Sequence, residues 1–356
     1  DWSSDVCSSD LYSWDYQLRT SNAPGNIGRP INTVDAEQRN VAWYVQDTLQ
    51  LTERAALTAG LRQERVSIDA RDRHDATAPG GAFGSGAPAG SQKNTAHAHE
   101  LGLRYQLAAQ TALNVKTGES FRFANVDEVY ETSALFTHQF QFLRPQKART
   151  YEAGVETRGT AGRLRGSLFT MDVRDEIHLD AFSTGIGNTN LPPSRRRGLE
   201  LDGQWLVSNA VTLGAAYSHI DARFREGVLP GGAFTQLNVQ LAGKSVPLVP
   251  RHKLTVNAAW AINPQTRLSA VANHVGAQFM DNDEGNTLGT KIPAYTVVDL
   301  KLHYRNGPWR VGAAINNMFG EKYYNYAVRS QFVADRYNAY PLPKRNVTVN
   351  VAYDFR

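Results

Sequence analysis

The sequence predicts an all-β protein, an antiparallel up-and-down transmembrane β-barrel, and three observations carry that prediction. Apolar residues recur at every second position through most of the chain. The connections between these stretches are alternately short and long. Aromatic residues gather near the short connections. A period of two marks a strand with one apolar and one polar face. Long loops sorted to one end suit a barrel with tight turns on the other side of a membrane. Rings with a polar handle favour the boundary between lipid and water.

Composition permits this fold. The 356 residues carry 38 Lys+Arg against 34 Asp+Glu, a net charge of +4. That is too balanced for nucleic-acid binding through bulk charge, and no nucleic-acid partner is expected. A single cysteine excludes a disulfide framework and a Cys-rich metal site. Mean hydropathy is negative. No apolar run approaches the roughly 18 residues of a membrane helix. A membrane barrel escapes that exclusion, because its strands alternate apolar and polar residues and average to a hydrophilic chain.

Residues 1–11 stand apart. They read DWSSDVCSSDL, repeat Ser-Ser-Asp, and hold the lone Cys7. They lack the basic and apolar regions of a signal peptide and are expected to be a foreign segment. From 12 onward about 14 strands follow by pattern. They lie at 12–20, 40–51, 55–69, 97–107, 110–123, 148–159, 163–178, 195–207, 210–225, 251–262, 265–280, 293–305, 308–318 and 344–355. Parity is ambiguous at 163–178. It is clean at 198–205, where Leu199, Leu201 and Trp205 oppose Glu200, Asp202 and Gln204. Leu254, Val256, Ala258, Trp260 and Ile262 likewise oppose Thr255, Asn257 and Ala259. Val298, Leu300, Leu302 and Tyr304 oppose Asp299, Lys301 and His303. Val347, Val349, Val351, Tyr353 and Phe355 oppose Asn346, Thr348, Asn350, Ala352 and Asp354.

The short connections are 52–54, 108–109, 160–162, 208–209, 263–264 and 306–307. The long ones are 21–39, 70–96, 124–147, 179–194, 226–250, 281–292 and 319–343. No long stretch has helical period, although 124–134 suits a short helical turn. The Gly/Ala/Pro tract at 78–90 is expected to be mobile. Tyr105, Trp205, Trp260, Tyr304, Trp309 and Phe355 sit on the apolar parity near short turns or the C-terminus, as an aromatic girdle would.

Several segments resemble one family in order along the chain. They are Tyr44-Val-Gln-Asp-Thr-Leu-Gln-Leu-Thr-Glu53 with Leu57-Thr-Ala-Gly-Leu-Arg62, then Glu119-Ser-Phe-Arg-Phe-Ala-Asn-Val-Asp-Glu-Val-Tyr130. Leu143-Arg-Pro-Gln-Lys147, Tyr151-Glu-Ala-Gly-Val-Glu156, Arg197-Gly-Leu-Glu-Leu201 and Pro247-Leu-Val-Pro-Arg-His-Lys-Leu254 follow. Asn316-Asn-Met-Phe-Gly-Glu-Lys-Tyr-Tyr324 and the last strand from Pro343 complete the series. Together they resemble the C-terminal part of the barrel of TonB-dependent outer-membrane receptors, siderophore receptors included. Such barrels end on an aromatic residue, whereas Arg356 follows Phe355 here.

The resemblance implies a barrel of about 22 strands, of which about 14 are present. Residues 12–356 would be a partial barrel domain, with the N-terminal plug domain and TonB box lying upstream. It implies an integral protein of the Gram-negative outer membrane, touching lipid and lipopolysaccharide, that imports a scarce ligand with TonB-derived energy. No covalent cofactor, resident metal or catalytic chemistry is expected; the ligand would be a siderophore-like iron chelate. Enzyme signatures such as Gly-x-Ser-x-Gly and His-Glu-x-x-His are absent from the sequence. A passive channel of about 14 strands and a soluble β-sandwich binding module are the rival readings.

Ligand contacts are expected from the long loops. Tyr130, Phe136 and His138 are candidates in one, and Arg329, Arg336 and Tyr337 in another, because rings and guanidinium groups suit flat anionic chelates. Asp299, Lys301, His303, Arg310 and Asn350 have lumen parity, where hydrating the lumen or touching the plug is the plainer role. Arg195-Arg-Arg197 is a charge run at a strand start, fit for phosphate or for solvent. His97 and His99 share one strand face, a spacing open to metal ligation.

Overall fold

The computed structural model describes residues 8–23, 25–132, 137–179, 187–229, 238–330, 333 and 335–355. One antiparallel sheet of 14 strands, each paired with its neighbours in sequence, organises the chain. The strands are β1 (Ser8–Leu18), β2 (Asn32–Thr52), β3 (Ala55–His74), β4 (Gly90–Ala108) and β5 (Thr111–Arg122). Then come β6 (Gln146–Gly159), β7 (Gly162–Arg174), β8 (Ser194–Ser208), β9 (Val211–Phe224) and β10 (His252–Ala261). The last four are β11 (Thr266–Val275), β12 (Tyr295–Asn306), β13 (Trp309–Asn316) and β14 (Asn346–Tyr353). Each lies on one of the stretches that the period-two pattern marks. Among the described residues no ladder joins β1 to β14.

Connections at one end are 53–54, 109–110, 160–161, 209–210, 262–265 and 307–308. Every long connection is at the other end. The pleat sorts the side chains across the ladder. Val347, Ile315, Leu300, Ala270, Ala258, Leu213 and Trp205 are cross-strand partners in one row. The adjacent row is Thr348, Ala314, Lys301, Ser269, Ala259 and Thr212. The apolar row faces outward, as lipid requires, and Val349 on the same face is 64% exposed.

Three strands run at least five residues past what alternation predicts. β2 starts at Asn32 rather than 40, β3 ends at His74 rather than 69, and β4 starts at Gly90 rather than 97. The reason is a change of side. On β2 the outward Val41 is 43% exposed, whereas Val34, of opposite parity, is 0% exposed. Above the lipid the outward positions become polar, and Asp35 pairs with Arg73 at 2.8 Å. The inward positions become apolar, because the long loops fold down onto them. Ala36, Val66, Ile68, Ala70 and Ala96 form a core there with Phe123, Val126, Val129 and Leu143. The ladder runs unbroken through the inversion, but a search for one apolar parity stops at it.

Elsewhere turn residues end strands early. Asp175 has a φ of 53° and divides the expected strand 163–178, after which Glu176–His178 pairs with Thr189–Leu191. Asn317, with a φ of 49°, ends β13. The helical turn expected at 124–134 is one 3-10 turn, Val126–Glu128. Glu128 holds it, accepting the Asn125 N–H at 2.7 Å and pairing with Arg122 at 2.9 Å. The tract 78–90 is packed rather than loose. Ala78 and Ala87 are buried, and Thr20 Oγ1 donates to the Pro79 carbonyl at 2.6 Å. At Gly86 a Cβ would approach the His74 Cβ to 2.9 Å, so glycine lets the tract lie against β3. At the start of the chain, Ser8–Leu11 belongs to β1 and pairs with Arg39–Ala42. Residues 1–7 lie outside the described residues.

The face assignment has a direct consequence. Val349→Arg should destabilise the lipid-inserted sheet by about 2–4 kcal/mol, and Asn350→Arg by much less. Urea unfolding in lipid vesicles measures both, and equal losses would undo the assignment of faces.

Candidate functional site

Beneath the long loops the inner wall carries an aromatic and polar group. Trp14 and Tyr16, two apart on β1, share a face and stack at 5.5 Å between ring centroids, 5° from parallel. Tyr130, in the short strand Tyr130–Thr132, lies 5.9 Å from Trp14 and 5.8 Å from Tyr16. Tyr130–Thr132 pairs with His138–Phe140, which brings the His138 ring parallel to Tyr130 at 5.6 Å. Phe140 closes on Tyr130 at 5.5 Å.

Polar atoms near this group include several without partners. Asn32 Nδ2 donates to Asp72 Oδ2 at 2.9 Å, and the Ala87 N–H donates to the same oxygen at 2.9 Å. Asn32 Oδ1, Asp72 Oδ1, His74 Nδ1 and the Tyr130 hydroxyl are buried with no hydrogen bond. Asn32 and His74 are cross-strand partners, and Asp72 shares their face. Burial, reinforced by the Asp72 charge, raises the Tyr130 phenol above its usual range. Burial lowers the His138 imidazole below its ordinary 6.5 despite Asp72 nearby. Buried polar atoms without partners are uncommon and hold bonding capacity that a bound molecule could use.

The other candidates form a second group. Tyr337 lies against Tyr324 at 6.4 Å, their hydroxyls 3.4 Å apart. Burial and that contact push the Tyr324 phenol up to about 12. Arg329 is engaged within the loops: its Nη1 is 3.4 Å from Asp283 Oδ1 and donates to Thr287 Oγ1 at 2.7 Å. Arg336 is exposed at the foot of the strand Tyr337–Pro341. Phe136 lies outside the described residues.

The lumen-parity residues divide between the two ends. Asp299 accepts the Asn317 N–H at 2.8 Å, at the long-loop end. Arg310 pairs with Asp354. His303, Arg310 and Asn350 gather with Arg267 and Arg305 around a recess of about 680 Å³ at the short-turn end. Lys301 lies between these groups, opposite Ser269 and Ala314. The run at 195–197 is partly neutralised, with Arg195 on Asp172 at 2.7 Å and Arg196 on Glu176. His97 and His99 point outward on β4, exposed, and join no metal-ligating group among the described residues.

Comparison with known proteins decides the family. Residues 3–318 match the family described as TonB dependent receptor-like, beta-barrel. The chain belongs to the TonB-dependent receptor family. It is 24% identical over 338 residues to the metal-pseudopaline receptor CntO of Pseudomonas aeruginosa, covering 93% of this chain and 42% of that protein. It is 24% identical to the catecholate siderophore receptor Fiu of Escherichia coli K12, covering 82% of this chain and 39% of the relative. The crystal structure of Fiu in its closed form superimposes with a TM-score of 0.71 at 20% identity, covering 97% of this chain and 50% of that one. The ferric yersiniabactin uptake receptor FyuA of Yersinia pestis gives 0.70 at 17% identity, covering 91% and 47%. The receptor chain thus spans less than half the length of these curated relatives.

Sequence reading missed Trp14, Tyr16, Asp72 and His74. The local sign for the first two was Tyr12-Ser-Trp14-Asp-Tyr16, rings at every second position of a strand. The structure also explains a motif. Asn317, in the segment that resembles the family, is buried at positive φ. It accepts the Glu321 N–H at 2.8 Å and donates to the Glu321 carbonyl at 2.8 Å. Asn317→Ala should therefore cost about 2–4 kcal/mol in unfolding experiments, and Asn317→Gly, which tolerates the backbone, clearly less.

A pH dependence follows from His138. Its lowered value means that the folded state favours the neutral ring. The stabilisation is complete above about pH 6.5 and is lost as pH falls through the lowered value. Hydrogen-exchange protection at 138–140, corrected for the intrinsic rate at each pH, should be weaker near pH 5 than near pH 7.5, and His138→Phe should flatten that change.

Proposed function

We propose that this chain is barrel wall of an outer-membrane receptor that captures a scarce metal chelate, a ferric siderophore by class, and imports it with TonB-derived energy. The observation that carries the reading is the inner-wall group of Trp14, Tyr16, Tyr130 and His138 beside the unpartnered atoms of Asn32, Asp72 and His74. Ring faces receive flat, conjugated chelate arms, and the unpartnered atoms receive their polar edges. Arg336 and Tyr337, exposed on another loop, supply outer contacts of charge and stacking. Names among the relatives support the ligand class: one is a receptor for metal-pseudopaline, another for catecholate siderophores.

No bond in the ligand is made or broken in this reading. The barrel binds and admits, while TonB acts at the short-turn side through a plug domain. The cation-rich recess of Arg267, Arg305 and Arg310 at that end is a surface for the plug. Lipid and lipopolysaccharide cover the outward apolar rows.

Uptake by iron-starved cells carrying the full-length receptor tests the reading, with an iron-loaded catecholate and an iron-loaded hydroxamate as probes. Two ring contacts of ~1 kcal/mol each make the Trp14→Ala/Tyr130→Ala double variant about thirtyfold weaker for the transported probe. Deleting TonB should abolish uptake. Equal uptake without TonB would instead establish the passive-channel reading.

A further inference from the structure

Three long loops meet around a small set of metal-binding side chains that the inner-wall group does not include. His178 ends the short strand Glu176–His178, which is held against Thr189–Leu191. Asp281 and Glu284 belong to the connection between β11 and β12. The ligand-capable atoms of these three residues all lie within 4.8 Å of one another. His178 Nε2 is 3.6 Å from Glu284 Oε1. Ligands bound at ~2.1 Å in a tetrahedral shell are ~3.4 Å apart, so this pair already has near-ligand spacing.

The charge balance points the same way. Glu284 is 5% exposed, and its ion-pair partner is His178. Asp283, fully buried beside it, takes Arg329 as its partner. Asp281, Asp283 and Glu284 thus crowd three carboxylates into four positions, with the Arg329 guanidinium already engaged on Asp283. A carboxylate so far from water needs a close positive charge, or it takes up a proton.

The donors are held in place before any ion arrives. The Tyr326 hydroxyl donates to Asp281 Oδ2 at 2.7 Å, and the Asn282 N–H donates to Oδ1 at 3.1 Å. The Asp281 N–H donates to the Ala327 carbonyl at 2.9 Å, and its carbonyl accepts the Arg329 N–H at 2.9 Å. Such outer contacts fix the direction of a ligand carboxylate. One imidazole nitrogen and two carboxylate oxygens, without sulfur, suit a borderline divalent ion.

We propose that His178, Asp281 and Glu284 form a resident site for a first-row divalent cation, Zn²⁺ by donor set, that fastens the strand pair Glu176–His178 and Thr189–Leu191 to the connection carrying Asp281. The ion is part of the loop architecture and distinct from the imported chelate. Three protein donors leave at least one coordination position for water.

The test uses the full-length receptor purified in detergent micelles, freed of metal by a chelator and titrated with zinc chloride in a calorimeter. One equivalent should bind. His178→Ala and Glu284→Gln should each weaken binding at least tenfold, and His97→Gln, on the outer face, should leave it unchanged. Hydrogen exchange across 176–178 and 189–191 should slow with zinc in the parent and not in Glu284→Gln, which keeps the side chain's shape if His178→Ala does not fold. No zinc binding, or binding that His178→Ala and Glu284→Gln both leave intact, would overturn the site. Calcium binding indifferent to His178 would do so too. Chelate uptake is a separate readout, so its loss with zinc binding intact would count against the transport reading alone.

Discussion

A peptide group left unpaired in hydrocarbon costs several kcal/mol, and the architecture follows from that cost. Pairing of the strand flanks avoids that cost, so the chain is laid down as a meander in which each strand pairs with its neighbours in sequence, β1 and β14 having one neighbour each among the described residues. Once the ladder is fixed, the pleat decides the faces, because a slip of one residue would carry every side chain to the wrong side. Turns at one end then need only two to four residues, which leaves the other end to hold all the chain that is not wall.

Where the surplus chain is described, it is packed rather than loose. The loops fold inward onto the upper wall, bury Phe123, Val126, Val129 and Leu143 against β2, β3 and β4, and carry Tyr130 and His138 to Trp14 and Tyr16. Charge is handled locally. Asp283 is answered by Arg329, Glu128 by Arg122, and Asp172 by Arg195. In each pair the arginine keeps about a third or more of its side chain in solvent, so the pair adds little net stability; for Asp283 and Glu128, which are buried, losing the arginine would strand a charge.

The sequence was legible where a single physical demand governs each residue. Lipid imposes one parity on Leu254 to Ile262 and on Val347 to Phe355, and those strands could be read directly. The upper halves of β2, β3 and β4 were not legible as continuations, because their apolar residues change sides where lipid gives way to loop core. Tyr130 and His138 could be named from one aromatic loop. Their partners Trp14, Asp72 and His74 come from strands far away in sequence, and no local pattern joins them. Arg329 was legible as a cation of a long loop, but its pairing with Asp283, 46 residues away, belongs to tertiary structure. The resemblance marked Asn317, and only the fold showed that it is there to turn the chain.

Strand length varies around the wall. β2, β3 and β4 run for 21, 20 and 19 residues, whereas β13 and β14 have 8 each. All start from the same tight-turn end, so at ~3.3 Å per residue the tall flank stands about 40 Å farther along the strand than the low one. The long-loop end of the sheet is bevelled. On its high side a stiff palisade of hydrogen-bonded ladder holds Asn32, Asp72 and His74 and cannot yield. On its low side loops take the place of palisade, among them the paired strands Tyr324–Arg329 and Tyr337–Pro341. His178, Asp281 and Glu284 draw together loops that begin at β7, a strand of middle length, and at β11, one of the short strands, so a cation among them would act as a latch where the palisade gives no support.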